Sequence, residues 1–281
     1  MTNDEKVLFG KILVNQILSK NISSLKDVEF KIFSQFGDDG IIQWLINNIE
    51  IDNEFFVEFG VENYKEANTK FLMFNNNWSG FVMDGSNNNI NNLKKQDYFW
   101  KYNLIAKDVF ITKDNINNLL LEQNINPNIG LLHIDLDGND YYIFDEINCI
   151  NPNILILEYN SLFGIDREIS VPYREDFNRT KAHYSNLFFG ASLKSLHSLA
   201  YKKGFIFIGC NQAGNNAYFI RKDKINSKIK EVSLEDGYVI SKFRESRDIN
   251  GSLNFLDKLQ AYEEIKGLDV YNTNTKRIEK F

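Results

Sequence analysis

The feature that most restricts this chain is a recurrence. Five short apolar runs, Phe55–Gly60, Gly80–Asp84, Leu104–Asp108, Leu131–Asp135 and Ile154–Glu158, begin at intervals of roughly 25 residues, and polar, helix-compatible sequence follows each one. That interval holds one strand and one returning helix, so the pattern predicts repeated right-handed βα units around a parallel sheet. Two further runs, Gly204–Gly209 and Asn216–Arg221, flank the turn-rich Cys210–Asn215 and read as an antiparallel hairpin that brings the sheet to seven strands. The expected fold is α/β: a Rossmann-like, seven-stranded, mostly parallel sheet with one antiparallel strand, flanked by helices.

Around that core the sequence divides into an N-terminal helical segment, 1–52, the sheet-bearing core, 53–222, and a C-terminal helical extension, 223–281. The first has apolar stripes at Ile12, Leu13, Ile17 and Leu18 and again at Ile41, Ile42, Leu45, Ile46 and Ile49, with Asp38 or Asp39 placed to cap the second helix. The core carries an insertion, 161–190, with Pro172, several aromatics and mixed charge, suited to a lid or an acceptor-binding loop. The extension has an amphipathic segment from Leu253 to Ile265. A net charge of −6, with no basic run, argues against nucleic acid as a partner and for a small-molecule one. Cys149 and Cys210 have no disulfide-framework or C-x-x-C spacing, no apolar signal core follows the start, and no stretch approaches the ~18 apolar residues of a membrane span. The expectation is a cytoplasmic protein; no exposed apolar stripe decides whether it forms an oligomer.

Ligands of open α/β sheets bind outside the carboxyl ends of the strands, where this sequence concentrates its acids. The first turn, Glu58-Phe-Gly60-Val-Glu-Asn63, has one glycine in place of the G-x-G-x-x-G that brings a backbone against a pyrophosphate. That disfavours a dinucleotide and suits S-adenosylmethionine, which has no phosphate. Asp84 ends the second run, where a carboxylate accepts hydrogen bonds from both ribose hydroxyls. Asp108 is a candidate for the adenine amino group and Val109 for packing on the ring. Asp135, Asp137 and Asp140 cluster after the fourth run, and Glu158 and Asn160 end the fifth. Two readings of this set stay open. In one, Asp135, Asp137, Glu158 and Asn160 form an oxygen-rich Mg²⁺ or Mn²⁺ site that lowers an acceptor's pKa; in the other they are a helix cap, a turn at Gly138-Asn139 and a carboxylate bonded to backbone amides. His133 reads as a buried, hydrogen-bonded histidine and His197 as structural, while His183, beside Tyr184 in the insertion, is a candidate general base.

Taken together, Ser34-Gln35-Phe-Gly-Asp-Asp39, Phe56-Val-Glu-Phe-Gly60, Asn68-Thr69, Trp78-Ser-Gly80, Ile134-Asp-Leu-Asp-Gly-Asn-Asp-Tyr141, Glu158-Tyr-Asn160, Val171-Pro-Tyr173, Gly190-Ala-Ser-Leu193 and Gly209-Cys-Asn211 resemble bacterial methyltransferases of the FkbM type, over roughly residues 33–221. That resemblance implies a class I methyltransferase fold with S-adenosylmethionine as donor. It also implies O-methylation of a sugar or a phosphate-type oxygen, of the kind associated with capsule or surface-polysaccharide modification. It places Glu58, Gly60 and Asp84 in the donor site, Gln35 and Thr69 at the donor's carboxylate end, and Asp135 and Glu158 at the transfer site. His133 departs from the pattern, which has a smaller residue before Ile-Asp. One rival is a haloacid-dehalogenase-type phosphatase using Asp135 and Asp137. Against it, that motif would open the core rather than arrive as the fourth strand, and Asn139 stands where threonine is expected. The other rival is a catalytically silent protein that binds a nucleotide-like ligand.

Overall fold

The computed structural model describes every residue of the chain except Asn21 and Ser23, which lie within the segment expected to be helical. Helix α1, Asn3–Leu18, starts with a reciprocal cap in which Thr2 and Glu5 each bond the other's backbone N–H. Helix α2 spans Asp38–Ile46. Its N-cap is Gly37, without a side-chain cap bond, in place of the expected Asp38 or Asp39. Both acids are drawn elsewhere: one oxygen of Asp39 accepts the N–H groups of Ile32, Phe33 and Ser34, and Asp38 turns toward Asn211, Asn216 and Tyr218.

Strands and helices then alternate: β1 Phe55–Phe59, α3 Lys70–Asn76, β2 Ser79–Asp84, α4 Asn87–Lys94, β3 Leu104–Asp108, α5 Ile116–Leu121, β4 Leu131–Ile134, α6 Asp140–Glu146 and β5 Ile154–Glu158. After β5 come β6 Ile169–Ser170, α7 Arg179–Ala182, α8 Leu193–Lys202, β7 Phe205–Cys210 and β8 Asn216–Arg221, and finally α9 Leu234–Gly237, α10 Lys258–Ile265, β9 Asp269–Asn272 and β10 Arg277–Lys280.

The main sheet runs β3-β2-β1-β4-β5-β8-β7. Strands β1 to β5 pair in parallel, and β8 is antiparallel to both β5 and β7. This is the expected seven-stranded, mostly parallel Rossmann-like sheet. Side-chain alternation sends Phe56, Val82, Leu131 and Ile154 to one layer and Val57, Phe81, Leu132 and Leu155 to the other. Both faces are covered by helices, so the runs read as continuously apolar rather than alternating. Burying each such side chain stabilises the fold by about 1.5–3 kcal/mol. The order reverses direction at β1, between β2 and β4, and this opens a crevice at the carboxyl ends.

The C-terminal region departs from the expected helical extension. Only Lys258–Ile265 of the Leu253–Ile265 segment is helical, and β9 and β10 form a hairpin that pairs with β6 from the insertion. The reason lies far along the chain: β6 offers an open edge, and Phe163, Ile169, Val171 and Phe188 of the insertion share an apolar cluster with Ala261, Ile265 and Val270 of the tail. Insertion and tail thus build one small unit beside the main sheet.

Candidate active site

The carboxyl ends of β1, β2, β4 and β5 open into a cavity of about 1250 Å³ whose wall includes Gln35, Glu58, Gly60, Asp84, Val109, Asp135, Asp137 and Glu158. The insertion and the tail close its far side.

The first turn is set by contact. Gly60 has φ +71°, and a β-carbon there would lie 1.7 Å from the carbonyl oxygen of Asp135, so β1 and β4 can approach this closely only with glycine at the turn. At the end of β2, Asp84 accepts from Glu62 N–H at 2.8 Å and from Ser86 N–H at 2.8 Å, which fixes its carboxylate at the cavity wall. Val109 lines the same wall, with Phe110 and Ile111 beside it. Asp108 is turned away: it is exposed, bonds the Asn87 side-chain amide, and does not line the cavity.

Glu58 is consumed by the protein. Its two oxygens accept from Asn68 N–H at 2.9 Å, Thr69 N–H at 3.2 Å, the Thr69 hydroxyl, and His133 Nδ1 at 2.9 Å. Burial opposes ionisation of Glu58, but the hydrogen bond and charge of His133 outweigh it and hold the carboxyl below its usual range. His133 moves the opposite way: burial disfavours its charge, and Glu58 restores it and raises its pKa. The pair is a buried ion pair that ties β1 to β4 and to the start of α3. Thr69 lies behind Glu58, fully buried, bonded also to the Tyr64 hydroxyl, and not on the cavity wall.

Past β4 the chain turns sharply, with Asp137 at φ +54°, so that α6 begins at Asp140. Asp140 accepts from Leu136 N–H at 2.7 Å and Gly138 N–H at 2.9 Å and so pins the turn. Ligand oxygens of Asp135, Asp140 and Glu158 lie within 4.8 Å of one another. Burial, followed by the nearby Asp137, pushes the Asp135 carboxyl up to about 7. Burial raises Asp140 to about 6 and, with the Asp135 charge, raises Glu158 well above the carboxylate range. Glu158 is 8% exposed and its Oε2 has no hydrogen-bond partner among the described residues. Such a group is costly unless it is protonated or a ligand meets it.

The geometry revises the expected oxygen-rich set. Asp137 points away from it and pairs with Arg179 at 3.0 Å, and Asp140 takes its place. Asn160 donates to the carbonyls of Leu187 and Phe189, which anchors the insertion. His183 bonds Ser185 and lies tilted against the Tyr184 ring outside the cavity wall, which leaves it poorly placed as a general base. His197 packs edge-on against Phe207.

Arg179 is the principal wall residue that sequence reading passed over, because one arginine in an irregular insertion carries no periodic signal. Its guanidinium lies 3.8 Å over the Phe189 ring, donates to the Asn186 carbonyl, and pairs with Asp137 and Glu245. Through Glu245 it holds the irregular tail segment 239–247 across the cavity, a segment also fixed by Phe243 packing on Phe36 at 4.5 Å and by Tyr159 donating to the Val239 carbonyl.

No protein-family model and no curated protein matches the chain. Among solved structures it is similar to the N-terminal domain of EvdMO1 with SAH bound, at 11% identity and TM-score 0.42, over 78% of this chain and 95% of that one. It is also similar to the CMeT domain of the citrinin polyketide synthase, at 10% identity and TM-score 0.44, over 69% and 55% of the two chains. A third likeness is to the O-methyltransferase from Bacillus cereus in complex with SAH, at 8% identity and TM-score 0.41, over 77% and 89%. At such identities and scores the chemistry of this chain rests on its own residues.

Proposed function

We propose that this chain is an S-adenosylmethionine-dependent O-methyltransferase acting on a sugar hydroxyl or a phosphate-type oxygen. One observation carries the reading: the Gly60 turn and Asp84 face the same cavity as the carboxylates of Asp135 and Glu158, at the topological switch of a Rossmann-like sheet. S-adenosylmethionine supplies an electrophilic methyl group. In this reading Asp84 holds its ribose, Gly60 lets the backbone approach its methionine portion, Val109 packs on its adenine, and Gln35 lies at its carboxylate end. Glu58 acts indirectly, through His133 and the start of α3.

Asp135 is the group that receives or polarises the acceptor's proton. A carboxyl raised to about 7 sits near the operating pH, where proton transfer by a positioned side chain is most effective. The clustered Asp135, Asp140 and Glu158, with the unpartnered Glu158 Oε2, also fit a hard divalent cation such as Mg²⁺ or Mn²⁺. These three residues would hold it, and its chemistry would be to lower the acceptor's pKa. The FkbM-like motifs support a sugar acceptor in capsule or surface-polysaccharide biosynthesis. The phosphatase reading loses ground because Asp137, its second acid, is engaged by Arg179.

Calorimetric titration with S-adenosylmethionine and S-adenosylhomocysteine, with and without Mn²⁺, tests the proposal. Micromolar binding that is lost in Asp84→Ala is expected; wild-type protein that binds neither compound under either condition would overturn it.

A further inference from the structure

The two halves of the cavity differ in charge. Toward β1, β2 and β3 the wall is acidic or neutral, but on the side of the insertion and tail it carries five cationic side chains, Arg179, Lys242, Arg244, Arg247 and Lys258 among them all. Three carboxylates share that side, and each is already engaged: Asp137 and Glu245 by Arg179, and Asp257 by the Gln260 N–H that it caps at 2.9 Å. Lys242, Arg244 and Lys258 are exposed and have no ion pair among the described residues. Among the described residues Arg247 gives its guanidinium only to the Gly251 carbonyl, at 2.8 Å. In a chain of net charge −6, this is a local excess of uncompensated positive charge on one cavity wall.

The tail carries four of these cations and the insertion one. Lys242 and Arg244 flank Phe243, which packs on Phe36 at the donor end, whereas the Arg247 N–H bonds the Ser185 carbonyl and Arg179 bonds the Asn186 carbonyl, so Arg247 is held against the insertion that follows β5. A single ligand site is typically ~300–1,000 Å³; a cavity of about 1250 Å³ has room for a second molecule beside the donor.

Resting on the methyltransferase reading, we propose that the acceptor carries a phosphate or diphosphate group held by Arg247 and Lys258, with its reacting hydroxyl lying over Asp135 and Glu158. Arginine and lysine bind phosphate oxygens through short charge-assisted hydrogen bonds. An anchor at that end leaves the opposite end of the acceptor against the carboxylates. Arg179, already paired twice, shapes the wall and does not serve as the anchor.

The test uses the full chain loaded with S-adenosylhomocysteine, titrated with inorganic pyrophosphate, UDP-glucose and glucose. Both phosphate probes are expected to bind at submillimolar concentration and to weaken with added salt, glucose to show no binding, and Arg247→Ala/Lys258→Ala to weaken the phosphate probes at least about tenfold while S-adenosylhomocysteine binds as before. Tighter binding of UDP-glucose than of pyrophosphate assigns the group to a nucleotide carrier, and the reverse order to a simple phosphate ester; both support the proposal. If S-adenosylhomocysteine binds but neither phosphate probe does, or if the double variant binds them like wild type, the proposal is overturned. Failure of S-adenosylhomocysteine to bind overturns the methyltransferase reading instead.

Discussion

In the proposed reading Asp84 serves donor binding and Asp135 serves transfer, and variants at the two positions separate the steps. Asp84→Asn keeps the shape of the β2 end but removes the charge that a ribose diol would meet. Losing the equivalent of one charge-assisted bond costs about 1.5–3 kcal/mol, so donor affinity is expected to fall ~10- to 150-fold by calorimetry. Asp135→Asn is expected to bind donor normally and to lose transfer in a single-turnover assay. The raised Asp135 carboxyl also fixes two pH dependences of opposite sign. If it works as the base, the rate rises with pH through about 7, and a rate already maximal at pH 5 would remove that role. Folding stability runs the other way. A carboxyl whose folded pKa lies above its unfolded value contributes most below the unfolded value, near 4, and that contribution is lost as pH rises through the folded value. Asp39 and Asp140, each raised to about 6, act in the same sense. The melting temperature is therefore expected to fall from pH 5 to pH 8, and Asp135→Asn to lessen the fall. Mn²⁺, if it binds these carboxylates, stabilises the protein more at pH 8 than at pH 5.

At the scale of elements, the Glu58–His133 pair joins β1, β4 and the start of α3. Removing one member of a buried pair leaves the other uncompensated at a cost of about 3–5 kcal/mol. Glu58→Ala should show this in urea unfolding, and Glu58→Gln/His133→Phe, which removes both charges, should recover part of it. A cost of Glu58→Ala below ~1 kcal/mol would contradict the pairing. The segment 239–247 crosses the cavity on few anchors. The Phe36–Phe243 contact, of a kind worth ~0.5–1.5 kcal/mol, is the one on the Gln35 side, so Phe243→Ala is expected to weaken donor binding roughly 2- to 12-fold with little change in melting temperature.

At the scale of the whole molecule, insertion and tail depend on each other. Deleting residues 248–281 would strip α10, β9 and β10 from Phe163, Ile169, Val171 and Phe188 and expose that cluster to water. The truncated chain is expected to bind a hydrophobic dye and to aggregate, while retaining far-UV signal from the main sheet; an unchanged, monodisperse truncation would refute the mutual dependence.

The sequence by itself determined the sheet. Strands buried on both faces must be apolar throughout, parallel strands need a crossover of nearly constant length, and both requirements are local enough to appear as runs at regular spacing. The same locality made the Gly60 turn, Asp84 and the acids at the ends of β4 and β5 legible, because strand ends are where the fold places ligands. Tertiary structure alone decided which acids meet. One sharp turn after β4 sends Asp137 outward to Arg179 and brings Asp140 beside Asp135 and Glu158, a choice made by backbone geometry and by a partner 42 residues away. It also decided that Thr69 and Asp108 turn from the cavity, that His183 lies outside it, and that the tail forms strands. β-pairing depends on an available edge, and the edge that β9 uses belongs to Ile169–Ser170, about a hundred residues earlier in the chain, where no local pattern could announce it.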